Sequence, residues 1–375
     1  MHVTSRTSLA SPQHALKSPP LIGGARVEVC IVGAGVAGLI AAYLLAREGR
    51  SVMVVDEGPA GGRASATATV QLAGMIEPPY ASLELEHGTV AARLAAQSFR
   101  GAVDTLEAIV RRERIACDFE RLDGYCLGRD PASRVKLERE VEAARRSGLA
   151  GVELLAAPPV SGAIEEPCVR YPGQAQFHPH RFVEGLARAI AHAGGRLHFG
   201  VALKGLEPGR PAAVVTSFGH RIEAEAIVMR GRGGAARDAD PPLRALALRV
   251  PRGMLTRALY WDADSPHCCA RLRTTGAGGG EHLLVMGDLD HAALEAWARA
   301  RFPGCGEVLQ RLHGEAAGAS DLFACVGQAG SASDGVYVST AGWGSAMTRA
   351  AVAAITVKDF VQASWYERDV SRLRM

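Results

Sequence analysis

The stretch from Val27 to Asp56 constrains this chain more than any other. A short β-type run, Val27-Glu28-Val29-Cys30-Ile31-Val32, leads into Gly33-Ala34-Gly35-Val36-Ala37-Gly38 and then into the helical run Leu39-Ile40-Ala41-Ala42-Tyr43-Leu44-Leu45-Ala46. The helix stops at Arg47-Glu48-Gly49, a C-cap glycine, and a second apolar strand, Ser51-Val52-Met53-Val54-Val55, runs into Asp56. Val29 to Ala46 is 18 residues without a charge, just long enough to be considered as a membrane span. Strand, glycine turn and helix account for it better, so no span is expected.

In that setting Gly33-x-Gly35-x-x-Gly38 reads as a dinucleotide fingerprint, with an acid 23 residues after the first glycine. Gly33 permits the tight turn, and Gly35 lets backbone N–H groups approach a pyrophosphate at the positive helix N-terminus. Gly38 lets the helix pack closely on the sheet. Asp56 can accept hydrogen bonds from a ribose diol. The motif predicts an α/β, Rossmann-like nucleotide-binding domain, and by itself it does not choose between FAD and NAD.

A length of 375 residues suggests two domains, or one core with a second lobe. Lys plus Arg (42) barely exceed Asp plus Glu (39), and aromatics are 5%, so neither a phosphate-binding surface nor a base-stacking platform is indicated and nucleic acid is not an expected partner. Cysteines at 30, 117, 126, 168, 268, 269, 305 and 325 form no CxxC pair and no zinc-type spacing. They read as reduced, mostly buried thiols, which fits a cytoplasmic protein without a metal site. Residues 1–24 lack an apolar signal core and read as a disordered tail, with an organelle-targeting reading surviving on composition alone.

Further along, Phe99, Val103, Leu106, Ile109 and Val110 have helical spacing within 93–113, and Arg134 to Arg146 is a charged helix. A helix from His180 to His192 stops at Gly194-Gly195 and gives way to a strand from Arg196 to Val201. Ala213 to Phe218, a Gly219-His220 turn and Ile222 to Glu225 form a β-hairpin before the apolar strand Ala226-Ile227-Val228-Met229. Strand-like Met254 to Trp261, Cys268 to Arg273 and Leu283 to Met286, with a helix from Ala292 to Phe302, suggest an inserted substrate domain. A strand from Gly335 to Thr340 precedes the last helix. The expected division places the nucleotide domain at 25–92, 172–235 and 325–365, and a mixed α+β substrate or cap domain at 93–171 and 236–324.

Several segments together carry a family resemblance. The glycine-rich extension Glu57-Gly58-Pro59-Ala60-Gly61-Gly62-Arg63-Ala64-Ser65 follows the fingerprint at once, and the chain also contains Cys117-Asp118-Phe119-Glu120-Arg121-Leu122-Asp123-Gly124-Tyr125, Tyr171-Pro172-Gly173-Gln174-Ala175-Gln176-Phe177-His178-Pro179 and Val250-Pro251-Arg252-Gly253. The chain resembles FAD-dependent oxidoreductases of the D-amino-acid-oxidase superfamily, nearest the branch that usually carries a C-terminal Rieske domain. The resemblance implies noncovalent FAD and oxidation of a C–N bond of an amine or amino acid by hydride transfer to the flavin. It extends the cofactor set from Gly33, Ala34, Gly35, Val36, Ala37, Gly38 and Asp56 to Glu57, Arg63, Ala64, Ser65, Thr69, Leu203, Gly231, Gly342, Gly344, Met347 and Thr348. Met347 and Thr348 would open the final helix, whose N–H groups favour negative charge at the flavin edge.

Departures from the family pattern are also visible. No Cys-x-His or Cys-x-x-His occurs, so no built-in Rieske cluster is expected, and turnover is expected to need oxygen or a soluble acceptor. Thr67-Ala68-Thr69, Arg230-Gly231-Arg232 and Ala341-Gly342-Trp343-Gly344-Ser345 differ from the runs that relatives place near the flavin. His178 is a candidate acid or base, although a histidine that begins a helix is more often a structural cap. Arg271, alternating with Cys269 and Arg273 on one strand face, is a candidate clamp for a substrate carboxylate, although a solvent-facing arginine is the commoner case for such a position. Two other readings stay open: a degenerate flavin- or nucleotide-binding relative without turnover, and an NAD(P)-dependent reductase.

Overall fold

The chain leaves its first β-sheet twice and returns to it twice, and this weave sets where the functional groups can meet. A computed structural model describes residues 16, 18–58, 60, 71–72, 79–130, 132–162, 166–207, 209, 211–230, 242–264, 268–275, 280–315, 326–328, 335–339 and 347–373. The first lobe opens with β1 (Ala25–Val32), α1 (Val36–Arg47) and β2 (Val52–Asp56). The chain then crosses to a second sheet through β3 (Gln71–Leu72), α2 (Tyr80–Arg112), β4 (Glu120–Leu127), α3 (Ser133–Arg146), β5 (Glu153–Leu155) and β6 (Cys168–Gln176). It returns with α4 (Pro179–His192), β7 (Arg196–Phe199), β8 (Leu203–Glu207), β9 (Ala212–Thr216) and β10 (Arg221–Arg230). A second excursion builds β11 (Pro242–Val250), β12 (Leu259–Asp262), β13 (Cys269–Thr275), β14 (Gly280–Gly287), α5 (His291–Arg301) and β15 (Val308–Glu315). β16 (Val326–Gln328), β17 (Val336–Ser339) and α6 (Met347–Leu373) complete the first lobe.

In the first sheet β17, β10, β1, β2 and β7 lie in that order and all pair in parallel, while β8 and β9 form an antiparallel extension on β10. Parallel strands covered on both faces need unbroken apolar runs, and β2 supplies one. Its Val52 and Val54 pack with α1, α4, α6 and the C-terminal part of α2, whereas Met53 and Val55 face the β8–β9 side. The expected hairpin and the strand after it are one element: β10 pairs with β9 through its first residues and with β1 along most of its length, because its even alternation serves both neighbours.

The second sheet runs β15-β11-β14-β13-β12-β4-β6-β3, antiparallel throughout except where β12 pairs with β4. One face carries Leu259, Trp261, Cys269, Leu284 and Leu312 and is covered by α3 and the start of α2. The other carries Tyr260, Ala270, Leu272, Leu283 and Val285 beneath α5. β6 extends to Gln176, four residues past the boundary expected at 172. The helix expected over 93–113 begins at Tyr80 and breaks its geometry at Gly88 (φ +82°). Its start is capped by a buried carboxylate, Glu140, which accepts from the N–H groups of Tyr80 (3.0 Å) and Ala81 (2.9 Å) and from Tyr171 Oη (2.7 Å).

Two other expectations meet different geometry. Residues 18–24, inside the segment expected as a tail, continue into β1, and they are tied to β7 by Phe199 N–H donating to Ser18 Oγ (2.7 Å) and by His198 Nδ1 against Pro19 O (3.0 Å). Of the run Met254 to Trp261 only Leu259 onward is a strand, since Pro251 to Thr256 turns and pairs with the backbone around Pro159 to Ser161 instead.

Candidate active site

The nucleotide cradle is built almost entirely from backbone. Parallel pairing of β1 with β2 puts Val32 beside Val55, so the glycine turn emerges next to Asp56. Gly33 N–H donates to Val55 O (2.8 Å), Ala34 N–H to Asp56 Oδ2 (2.5 Å) and Gly58 N–H to Asp56 Oδ1 (2.6 Å). Asp56 thereby ties the turn to the strand end. Gly33 has φ +118° with open space where a Cβ would stand, a conformation that L side chains rarely adopt. A Cβ on Gly38 would lie 2.1 Å from Gly33 O, so only glycine allows α1 to start against the turn.

Gly35 is the N-cap of α1 and offers no side chain, and no acid occupies the first helical turn. The first helical acceptor is Gly35 O, bonded by Leu39 N–H (2.9 Å). The N–H groups ahead of Leu39 therefore have no intrahelical acceptor and sit at the positive end of the helix dipole, the donor set a pyrophosphate requires. Val36 and Ala34 are buried, while Glu57 is exposed beyond Asp56. Leu203 opens β8 and packs on the Met53–Val55 face of the sheet. At the start of α6 both Met347 and Thr348 are buried, and Thr348 Oγ1 finds no hydrogen-bond partner among the described residues. A buried hydroxyl left so costs free energy unless a ligand completes it.

A second group of polar side chains forms where the second sheet meets the first lobe. Glu120 and Gln176 are register partners on β4 and β6. Gln176 donates through Nε2 to Glu120 Oε2 (3.0 Å), and Arg257 donates to the same carboxylate through Nε (3.1 Å) and Nη2 (2.7 Å). The hydrogen bonds from Arg257 are the main reason that the Glu120 carboxyl titrates below the usual range. Arg271 reaches past the end of β12 and donates through Nη1 to Gln176 Oε1 (3.2 Å). Its Nε is shielded from solvent without a partner, and no carboxylate pairs with the guanidinium among the described residues. Burial, reinforced by the neighbouring Arg273, pushes the Arg271 pKa down to about 10, which leaves it a cation at neutral pH but one whose charge an incoming anion would stabilise.

His178 is the N-cap of α4: its Nδ1 accepts from Arg181 N–H at 3.5 Å, and its own N–H donates to Cys117 O at 2.7 Å. Burial, then the charges of Arg181 and Arg273, lower its pKa, so the ring is neutral at pH 7 and suited to accept. Arg63, Ala64, Ser65, Thr69, Gly231, Gly342 and Gly344 lie outside the described residues.

Residues 28–359 match the family model for FAD dependent oxidoreductases (DAO). The chain belongs to that family. Over 368 residues it is 24% identical to YhfW of Bacillus subtilis, named for a Rieske 2Fe-2S iron–sulfur protein, a match covering 92% of this chain and 70% of that one. Over 223 residues it is 28% identical to gamma-glutamylputrescine oxidoreductase of Escherichia coli, covering 58% of this chain and 51% of that enzyme. The L-amino acid deaminase of Proteus vulgaris superposes with a TM-score of 0.72 at 17% identity, covering 96% of each chain, which shows a shared fold.

Membership in the DAO family makes the dinucleotide FAD, and the NAD(P) reading falls away. The groups present suit it: a glycine turn with no room for side chains, free N–H groups at the start of α1, an acceptor at the end of β2 and an orphan hydroxyl at the start of α6. This DAO-family flavoprotein is an oxidoreductase. Sequence reasoning passed over Gln176, Glu120 and Arg257 as site residues. The only signal was their position inside or beside the segments that carry the family resemblance, since nothing in a linear sequence shows that Arg271 reaches Gln176 across 95 residues.

Proposed function

We propose that this flavoprotein oxidises the C–N bond of an amino acid whose carboxylate is held by Arg271. The observation that carries the reading is the guanidinium of Arg271, short of partners and turned toward the first lobe beside Gln176. When bound, FAD supplies the hydride acceptor for the carbon next to the nitrogen. The chain's own groups do the rest. Asp56 accepts from the ribose hydroxyls, the first turn of α1 donates to the pyrophosphate, and Thr348 with the start of α6 donates at the flavin.

Arg271 fixes the donor through its carboxylate, a planar fork-to-fork contact that sets orientation as well as affinity. Gln176, steadied by Glu120 and Arg257, positions the guanidinium. Neutral His178, near enough to Arg273 for that charge to lower its pKa, would accept a proton from an ammonium substrate. Reoxidation by oxygen or a soluble acceptor and a cytoplasmic setting belong to the same proposal. Among the described residues seven cysteines are free, which supports a reducing compartment, and no helix there is long and apolar enough to cross a membrane.

The test is anaerobic mixing of the FAD-loaded protein with α-amino acids and with the corresponding amines that lack the carboxylate. Amino acids should bleach the flavin band, and their decarboxylated counterparts should need about 100-fold higher concentration or more. Equal bleaching by both series would remove Arg271 from the site.

A further inference from the structure

Glu120 begins β4 and Gln176 ends β6, and the two stand directly opposite each other in the sheet. Arg257 lies on one side of this pair and Arg271 on the other, so four side chains are bonded in the order Arg257, Glu120, Gln176, Arg271. Glutamate and glutamine have nearly the same shape and differ in charge and in what they can donate. Which of the two positions carries the acid is therefore a choice that the backbone does not make.

The direction of the hydrogen bonds shows what that choice does. Glu120 accepts two N–H bonds from Arg257, which hold its carboxyl below the usual range, so at neutral pH it is ionised and can only accept. Gln176 must then turn its NH2 group to Glu120, and its carbonyl oxygen is left to face Arg271. The amide ties the guanidinium down without neutralising it. The acid sits instead on Arg257 at a partly exposed position, while Arg271, its Nε shielded from solvent, has no carboxylate partner among the described residues. A carboxylate at 176, itself buried, would stand within hydrogen-bond reach of Arg271 and would be screened far less than the one at 120.

We infer that Gln176 sets the donor class: an uncharged acceptor at 176, with the acid opposite it at 120, keeps the Arg271 guanidinium open for an anion that arrives on the donor. An acid at 176 would occupy that guanidinium and turn the site toward amines that lack a carboxylate. The inference rests on the amino-acid reading for its chemistry, but the selectivity can be read without turnover. The decisive variant exchanges the pair, Glu120→Gln together with Gln176→Glu, which keeps the net charge and moves the anion from one register partner to the other. Propionate and propionamide, neither of which is an amine, are titrated calorimetrically into the FAD-loaded protein. Propionate should bind at least about 100-fold more tightly than propionamide to the unaltered protein, and the exchange should bring the ratio to about one. Gln176→Met, which removes the amide without adding charge, should keep the ratio within about tenfold of its original value.

A preference for propionate that survives the exchange overturns the inference. So does a preference that Gln176→Met destroys as fully as the exchange does, because Gln176 would then only hold Arg271 in place, and this arm decides even if the exchanged protein does not keep its flavin. Equal binding of the two probes to the unaltered protein overturns both the inference and the carboxylate contact on which it rests. In anaerobic flavin reduction the exchanged protein should no longer favour amino acids over their decarboxylated counterparts. If the propionate preference follows the acid as expected while no amino acid bleaches the flavin of the unaltered protein, then the oxidation reading fails and the role of Gln176 stands.

Discussion

The cradle around Gly33 to Asp56 and the cluster around Arg271 are built on opposite plans. The cradle comes from one contiguous segment, and its donors are backbone N–H groups whose placement depends on side chains being absent. The Arg271 cluster draws on β4, β6, the turn before β12 and β13, and every contact in it is made by a long side chain. The first arrangement fails when anything is added. The second fails when anything is taken away.

That contrast can be broken or sharpened by substitution. The largest effect is expected for Gly38→Ala, because the new Cβ would meet a backbone oxygen that cannot swing aside. Overpacking of this kind should lower stability by about 3 kcal/mol or more and abolish FAD retention, read by denaturant titration and flavin content. A variant that keeps its flavin would show that α1 can shift, and would remove the close approach from the design of the cradle.

Next comes Arg271→Met, which keeps the apolar stem and deletes the charge. KM for carboxylate-bearing donors should rise by about 30- to 1,000-fold, equivalent to about 2–4 kcal/mol, with flavin content unchanged. Loss of flavin in this variant would mean that the two regions are not separable. Asp56→Ala should weaken FAD by about 1–3 kcal/mol while leaving the donor selectivity of the remaining holoenzyme intact. Because Asp56 also holds Ala34 and Gly58, some loss of apoprotein stability should accompany it.

The smallest effect concerns His178. Its folded pKa lies below the ordinary value of 6.5, so as pH falls through 6.5 the unfolded chain takes up a proton that the native cap refuses. The cap's contribution is therefore present above 6.5 and fades as pH drops toward the folded value. His178→Asn, which caps without titrating, should flatten that slope and change stability at pH 7 by about 0.5 kcal/mol or less. A slope that persists unchanged would assign the pH dependence to another group.

The sequence by itself determined the nucleotide cradle. Glycines at fixed spacing, a strand that is apolar on both faces and an acid at its end are local requirements, and a local pattern can state them in full. It also carried the helix from Pro179 and the hairpin into β10, within a few residues at each end. It did not reveal β11 and β15, whose mixed residues such as Arg244, Arg249 and Gln310 become strand partners only when β14 and each other are beside them. Nor did it distinguish Arg271 from a solvent-facing arginine. Only the tertiary structure decided that, by starting β12 no earlier than Leu259 and letting one side chain cross to Gln176, because burial and partner choice for a long cation are set by what the chain folds over it and not by its neighbours in sequence.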